Sequence, residues 1–385
     1  MRRYPAFDPP EYVSWIPDPE AMAAFRARVP RELPDETRLL ALHEGMLRNR
    51  LHDIALKRWV RQGVISKAWL GTGEEAVTVG TVHALNRPAA GGPVDGNGSG
   101  SRKEPAALHE AGALLGAGDV VGPMIRNAGA CHEMGMPLAD LLKIYLGSPD
   151  TITRGRDLHT GDPKRGVIPP ISFVAALVPV FSGVALSFKL MKQPRVALTW
   201  VGDGARWTAE FHEGMNFAAV NALPLILVLQ DNQVALGTRK ERQSKASCET
   251  MSAGYGVTSM SCDGNNVLDV HATTLAAAAQ CREGRGPVML TATTFRMGAH
   301  ATHDEAEARA LFPAETFAWW GRRDPIGMYE TWLIQTRGVA AATLARIEER
   351  VTQEVDEAAT AALAGRAARG AGIVTEADVL AGVHA

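Results

Sequence analysis

The sequence predicts an α/β protein: a mostly parallel sheet with helices on both faces. Three observations carry this. Apolar runs of strand length recur at Val196 to Val201, Leu225 to Leu229, Tyr255 to Asp263 and Pro287 to Phe295. Segments with helical spacing separate them, and strands alternating with helices build a parallel sheet covered on both faces. The run at Val196 ends abruptly in Gly202-Asp203-Gly204 and the run at Leu225 ends in Asp231-Asn232, so polar residues stand at strand ends.

In chain order, residues 1 to 35 are rich in proline and charge, with Tyr4, Phe7, Tyr12 and Trp15. They read as an extended arm packed on something, such as another subunit, or as a frayed tail. Asp35 to Val60 has helical apolar spacing (Leu39, Leu42, Met46, Leu51, Ile54, Leu56) and reads as a long surface helix stopped by Arg61-Gln62-Gly63. Gly71 to Asn86 starts with glycines and then Glu74-Glu75, acids favourably placed at a helix N-terminus. Residues 87–107 are a Gly/Pro/Ser/Asn-rich insertion, expected to be mobile. A helix, a strand at Asp119-Val120-Val121-Gly122 and a helix around Leu138 to Tyr145 follow. Residues 149–172 form a long polar loop ending in Pro169-Pro170, and Val174 to Leu190 reads as a small-residue helix. Residues 237–252 are a polar connector, Leu275 to Cys281 an alanine-rich helix, and the chain is helical from about Trp319. The expected organisation is an arm over 1–35, an α/β domain over 36–330 and a helical tail over 331–385.

Composition narrows the function classes. The chain has 385 residues, 46% of them hydrophobic, enough for a substantial core. A net charge of −2 gives no reason to expect nucleic acid or an acidic membrane surface as partner. The four cysteines, Cys131, Cys248, Cys262 and Cys281, lie far apart and suit a reducing compartment. No apolar h-region opens the chain and no run reaches the roughly 18 apolar residues of a membrane span, so a cytoplasmic location is expected.

Several sites fail on spacing. The pairs His43-Glu44, His109-Glu110, His132-Glu133 and His212-Glu213 lack a second histidine four residues after the first, which a zinc-protease helix needs. Gly116-Ala117-Gly118 lacks the full dinucleotide spacing, and neither a P-loop lysine motif nor a G-x-S-x-G elbow is present. The stretch Arg195 to Leu236 is stronger. Asn232 follows Asp203 by 29 residues, the length of a strand–helix–strand crossover to an adjacent parallel strand. Ligands of open parallel sheets sit beyond the carboxyl ends of the strands. Two oxygen ligands there, beside glycines that admit a backbone, suit a magnesium ion carrying a diphosphate.

These residues resemble the thiamine diphosphate signature, a GDG followed some thirty residues later by asparagine. Over about residues 35 to 360 the chain resembles, more narrowly, the alpha subunit of the thiamine-dependent decarboxylating component of 2-oxo acid dehydrogenase complexes (pyruvate, branched-chain and acetoin types). The residues that carry this include Arg61-Gln62-Gly63-Val64-Ile65-Ser66, Gly73-Glu74-Glu75-Ala76 with Val79-Gly80, Phe211-His212-Glu213 through Asn216-Phe217-Ala218-Ala219, and Thr294-Phe295-Arg296 with His300 and Asp304.

The resemblance implies roles. Asp203, Asn232 and the carbonyl of Val234 would bind magnesium. The turn Gly202-Asp203-Gly204-Ala205 would hold the diphosphate, with the N–H groups of Gly204 and Ala205 donating at a helix start, and Arg126 would pair with it. Arg126's usual tyrosine neighbour is Ile125 here, which removes one contact. Ser172 and Val174 fall where backbone holds the aminopyrimidine ring. His300 would stand beside the reactive carbon, His159 is a second catalytic candidate, and His303 has no assigned role. Position 301 is alanine, so the phosphorylation switch at a serine after the loop histidine is not expected. The implied activity is thiamine diphosphate- and Mg2+-dependent decarboxylation of a 2-oxo acid, with acyl transfer to a lipoyl-bearing acyltransferase or another acceptor. The implied assembly is an alpha2-beta2 heterotetramer whose beta subunit supplies the activating glutamate, so this chain alone is expected to be inactive. An acetoin-type or acyl-supplying homologue, or a non-catalytic assembly partner, are the competing readings.

Overall fold

A computed structural model describes residues 2–3, 13–87, 115–368 and 376–380. Five strands form its main sheet: β1 (Val120–Gly122), β2 (Ala197–Gly202), β3 (Leu225–Asp231), β4 (Thr258–Asp263) and β5 (Val288–Thr293). Their spatial order is β1-β2-β3-β5-β4 and every pairing is parallel. Successive residues of a strand point to opposite faces. Leu225, Leu227 and Leu229 therefore join one core, and Ile226 and Val228 another. All five are fully buried, each contributing about 1.5–3 kcal/mol relative to exposure.

Helices α1 (Pro19–Ala27), α2 (Glu36–Arg61), α3 (Glu75–His83), α4 (Leu138–Tyr145), α5 (Leu177–Leu190), α6 (Ala209–Val220), α7 (Val267–Arg282) and α8 (Ala341–Ala368) make the layers. The leucine face of β3 packs on α5 and α6 through Phe181, Phe188, Phe211 and Met215. The other face packs on α3, α4 and α7 through Val77, Val82, Leu141, Val270 and Ala277. Outside that layer lies a further core in which α2 meets α8 and the helix Pro325–Gln335, through Leu42, Met46, Tyr329, Trp332 and Val351. The crossover expected between Asp203 and Asn232 is present: β2 leads through α6 into β3, its direct neighbour, with Gly202 opposite Gln230.

Four expectations need correction. The helix read as surface-lying is α2, and it is sandwiched between layers. Its charged residues Arg50 and Asp53 are buried, which is tolerable for Arg50 because Glu75 and Asp324 pair with it. The segment read as an extended arm contains α1. Asp18 caps it, accepting from the Ala21 N–H at 2.9 Å, and Ala21, Met22 and Phe25 are buried. Tyr255 does not open a strand. It ends the helix Cys248–Tyr255, which Gly256 terminates in the left-handed region, and β4 starts at Thr258. Short apolar stretches fit either period, so sequence spacing alone did not separate the two. The helix expected from Val174 begins at Leu177, after Ala175 turns the backbone at φ 63°. Most of the 87–107 insertion and the helix expected just after it lie outside the described residues.

Candidate functional site

The carboxyl ends of four strands converge on one set of side chains. Arg126 follows β1, Asp203 follows β2, Asn232 follows β3 and His300 lies in the loop after β5. This is the strand-end location at which parallel sheets bind ligands.

Asp203 is 1% exposed. One oxygen accepts the Gly204 N–H at 2.9 Å and the other the Gln243 amide at 3.1 Å. Burial pushes its carboxyl up to about 6, and the nearby charge of Asp231 pushes the same way. Gly204 is required where it stands, because a Cβ there would lie 2.3 Å from that of Ala235. Its N–H is already taken by Asp203, and Ala205 opens a short 3-10 turn, Ala205–Trp207, rather than an α-helix. The helix proper, α6, starts at Ala209 and is capped by Thr208. The expected pair of free N–H donors at a helix start is thus corrected for Gly204.

Asn232 is buried. Its amide nitrogen donates to Glu74 Oε1 at 2.8 Å, and its Oδ1 is buried without a protein partner. Val234 is also buried and opens the two-residue strand Val234–Ala235, paired antiparallel with Thr238–Arg239.

Arg126 is 6% exposed. It donates to Glu74 Oε2 at 3.5 Å, to His300 Nδ1 at 2.9 Å and to the His300 carbonyl at 3.3 Å. A ring nitrogen that accepts from a guanidinium is unprotonated, so the neutral His300 carries its proton on Nε2. Burial, then the charges of Arg126 and Arg296, lowers the His300 imidazole to about 4. Asp304 fixes the loop by accepting the N–H groups of His300 and Ala301 at 3.1 and 2.7 Å. Arg296 donates to the carbonyls of Leu236 and Gly298, and burial with repulsion from Arg126 lowers it to about 10. Asn232, Glu74, Arg126 and His300 thus form one hydrogen-bonded chain.

The remaining candidates form a second group. His159 Nε2 lies 2.8 Å from Ser172 Oγ, and His159 Nδ1 lies 2.7 Å from Asp157. Ser172 and Val174 are exposed, and among the described residues His159 and His300 share no hydrogen-bond partner. His303 is exposed on the turn Thr302–Asp304. Glu74 and Arg296 stand among the residues that carry the resemblance but had no site role assigned from the sequence, and Gln243 lay in a featureless connector.

The donor set fits a divalent cation with a diphosphate. Asn232 offers an unpartnered buried oxygen, Asp203 a carboxyl that burial leaves under-compensated, and Arg126 and Arg296 place two mutually repelling positive charges at the same strand ends, with one carboxylate, Glu74, paired to Arg126. Among the described residues no group of three His, Cys, Asp or Glu side chains stands ready for a metal, and this set, with one carboxylate, one amide and one carbonyl, is of another kind. Among the described residues, too, no helix is long and apolar enough to cross a membrane, and all four cysteines are free and buried.

Residues 99–371 match the family described as Dehydrogenase E1 component. The alpha 2 subunit of 2-oxoisovalerate dehydrogenase from Arabidopsis thaliana is 26% identical over 62% of this chain and 51% of its own length. The 3-methyl-2-oxobutanoate dehydrogenase alpha subunit of Mycobacterium tuberculosis is 29% identical over 87% of this chain and 79% of its own. The pyruvate dehydrogenase E1 component alpha subunit of Acholeplasma laidlawii is 26% identical over 85% and 84%. The matched part of this chain therefore spans about half the length of the first relative and about four fifths of the other two.

Proposed function

The chain belongs to the dehydrogenase E1 component family, as an alpha-type chain of the 2-oxo acid dehydrogenases, and from that premise we propose that it takes part in the oxidative decarboxylation of a 2-oxo acid, with magnesium and thiamine diphosphate at the strand-end site and the acyl unit passed to a lipoyl group on a partner protein. The family uses thiamine diphosphate generally, and an E1 alpha chain implies a complex with a beta subunit.

In this reading Asp203, the Oδ1 of Asn232 and the carbonyl of Val234 hold the cation. Arg126 and the backbone of the turn at Ala205 take the diphosphate, with Arg296 adding positive charge and Gly204 keeping its N–H on Asp203. The backbone at Ser172 and Val174 takes the aminopyrimidine end. When bound, the cofactor supplies the electron sink that makes loss of carbon dioxide from a 2-oxo acid feasible. His300, its Nδ1 occupied by Arg126, offers the Nε2 proton as a hydrogen-bond donor to the reacting substrate. At His159 the polarity is reversed: Asp157 accepts the Nδ1–H, which leaves Nε2 to accept from the Ser172 hydroxyl. The observation that carries the reading is the unpartnered Oδ1 of Asn232, on the strand end next to that of Asp203 and at the end of the network leading to His300.

The expectation of a beta-type partner in an alpha2-beta2 assembly has its own support. Phe173 is 64% exposed and Val220 78%, and Ile171, Val174, Val180 and Phe217 are exposed with them on one loop and on α5 and α6. Apolar exposure on that scale suits a protein interface. Calorimetric titration with thiamine diphosphate and Mg2+, with and without the beta-type partner, tests the proposal. Magnesium-dependent binding in the presence of the partner is expected. Absence of binding in both states would favour a non-catalytic assembly role. Assay of the reconstituted pair against a panel of 2-oxo acids and acetoin, with an artificial electron acceptor, then identifies the substrate, and activity from the chain alone would overturn the shared-site reading.

A further inference from the structure

The loop Gly71 to Glu74 carries a buried carboxylate that neither the fold nor the helix it precedes explains. Glu74 occupies the N-cap position of α3 but makes no side-chain cap hydrogen bond. The short polar side chains usual at that position accept an N–H of the first turn, and the longer Glu74 reaches elsewhere. Gly73, at φ 94° with no room for a Cβ beside Met297, bends the chain just ahead of it. The side chain lies fully buried under the strand ends. There its Oε1 accepts from Gln230 at 2.7 Å and Asn232 at 2.8 Å, and its Oε2 from Arg126 at 3.5 Å.

These contacts leave no freedom in which end of the Asn232 amide faces where. A carboxylate only accepts, so the nitrogen must point to Glu74 and the oxygen away from it. Gln230 is fixed likewise, because its own oxygen accepts from Asn127 at 3.0 Å and only its nitrogen can meet Glu74. We propose that Glu74 is a positioning residue for the cation: it holds the Asn232 amide with Oδ1 turned towards the metal and anchors Arg126 on the same carboxylate, without binding the cofactor itself. This rests on the reading of Asp203 and Asn232 as cation ligands. Groups that orient a ligand from behind typically contribute about 10- to 100-fold in metal affinity.

The test uses the full chain with its beta-type partner and measures the Mg2+ concentration at half-saturation of thiamine diphosphate binding, by calorimetry. Glu74→Gln puts an NH2 against either Asn232 or Arg126, donor against donor, and is expected to raise that concentration about 10- to 100-fold. Asn232→Asp adds a negative charge next to the cation, which by charge alone would tighten binding. With Glu74 behind it the aspartate meets a second carboxylate, so weaker binding is expected. The combined E74Q/N232D variant restores a donor facing an acceptor and is expected to recover much of the affinity that N232D loses. A merely structural role would not give that rescue. Unchanged affinity in E74Q, tighter binding in N232D, or additive losses in the double variant would each overturn the proposal. Should E74Q not fold, N232D decides alone, since it leaves Glu74 in place. If the unsubstituted chain with its partner shows no Mg2+-dependent binding, the cation-site reading itself fails, and the role given to Glu74 fails with it.

Discussion

The two halves of the candidate site are built differently. Arg126, Asp203 and Asn232 are buried, and each side chain has at least one fixed partner. Ser172, Phe173 and Val174 lie exposed on a loop. The first half is held by strand ends and a polar network before anything binds. The second has little of its own surface to rest on, which is the state expected of a half-site completed by another chain. Preorganisation here belongs to the sheet, and in the proposed function the loop's share would come from the partner.

That contrast has testable edges. The largest effect is expected from His300→Ala, which removes the proposed donor at the reacting end: turnover with the partner should fall by about 100- to 10,000-fold while cofactor binding changes little. A parallel loss of binding would mean that His300 is part of the anion cradle. Next, Arg126→Met strips Glu74 of its cation and should cost about 3–5 kcal/mol in denaturant unfolding of the metal-free chain, because it leaves a buried charge unpaired. Stability within error would show that Gln230 and Asn232 suffice to hold Glu74. Third, Asp203 is raised to about 6, above the unfolded carboxyl value. Its contribution to the metal-free fold is therefore complete below about pH 4 and is lost as pH rises through about 6. The cation competes with that proton, so Mg2+ affinity should fall about tenfold per pH unit below pH 6. A flat profile from pH 5 to 7 would show that this carboxyl is not raised to about 6. The smallest effect is expected on the exposed half: Val220→Lys should leave the chain's own stability within about 0.5 kcal/mol. Its signature is weaker assembly with the partner in sedimentation, and unchanged assembly would remove α6 from the interface.

The same division governs how far the sequence could be read. Strands β2 and β3 were legible because burial on both faces leaves uninterrupted apolar runs, and the strand-end rule then placed Asp203 and Asn232 together. The 29-residue interval became a direct neighbour pairing in the sheet. Glu74 was not legible in that role. Its partners Gln230 and Asn232 lie more than 150 residues away, and nothing local distinguishes an acid that caps a helix from one that turns away from it. The burial of α2 was hidden for a related reason: its outer face is covered by α8, which arrives some 280 residues later and whose own pattern suits an exposed helix equally well.

One feature of the sheet bears on how the molecule is made. Strand β5 lies between β3 and β4 although it follows both in the chain. During synthesis β3 therefore emerges with one edge unpaired, and that edge stays open while the 56 residues from 232 to 287 are added before β5 begins at Val288. An apolar strand with a free edge is prone to pair with other chains. The loop bearing His300 comes later still. The nascent chain thus closes its most aggregation-prone edge and completes the network running from Asn232 to His300 within a dozen or so residues of each other, so that a chain interrupted before β5 would be both sticky and without that network.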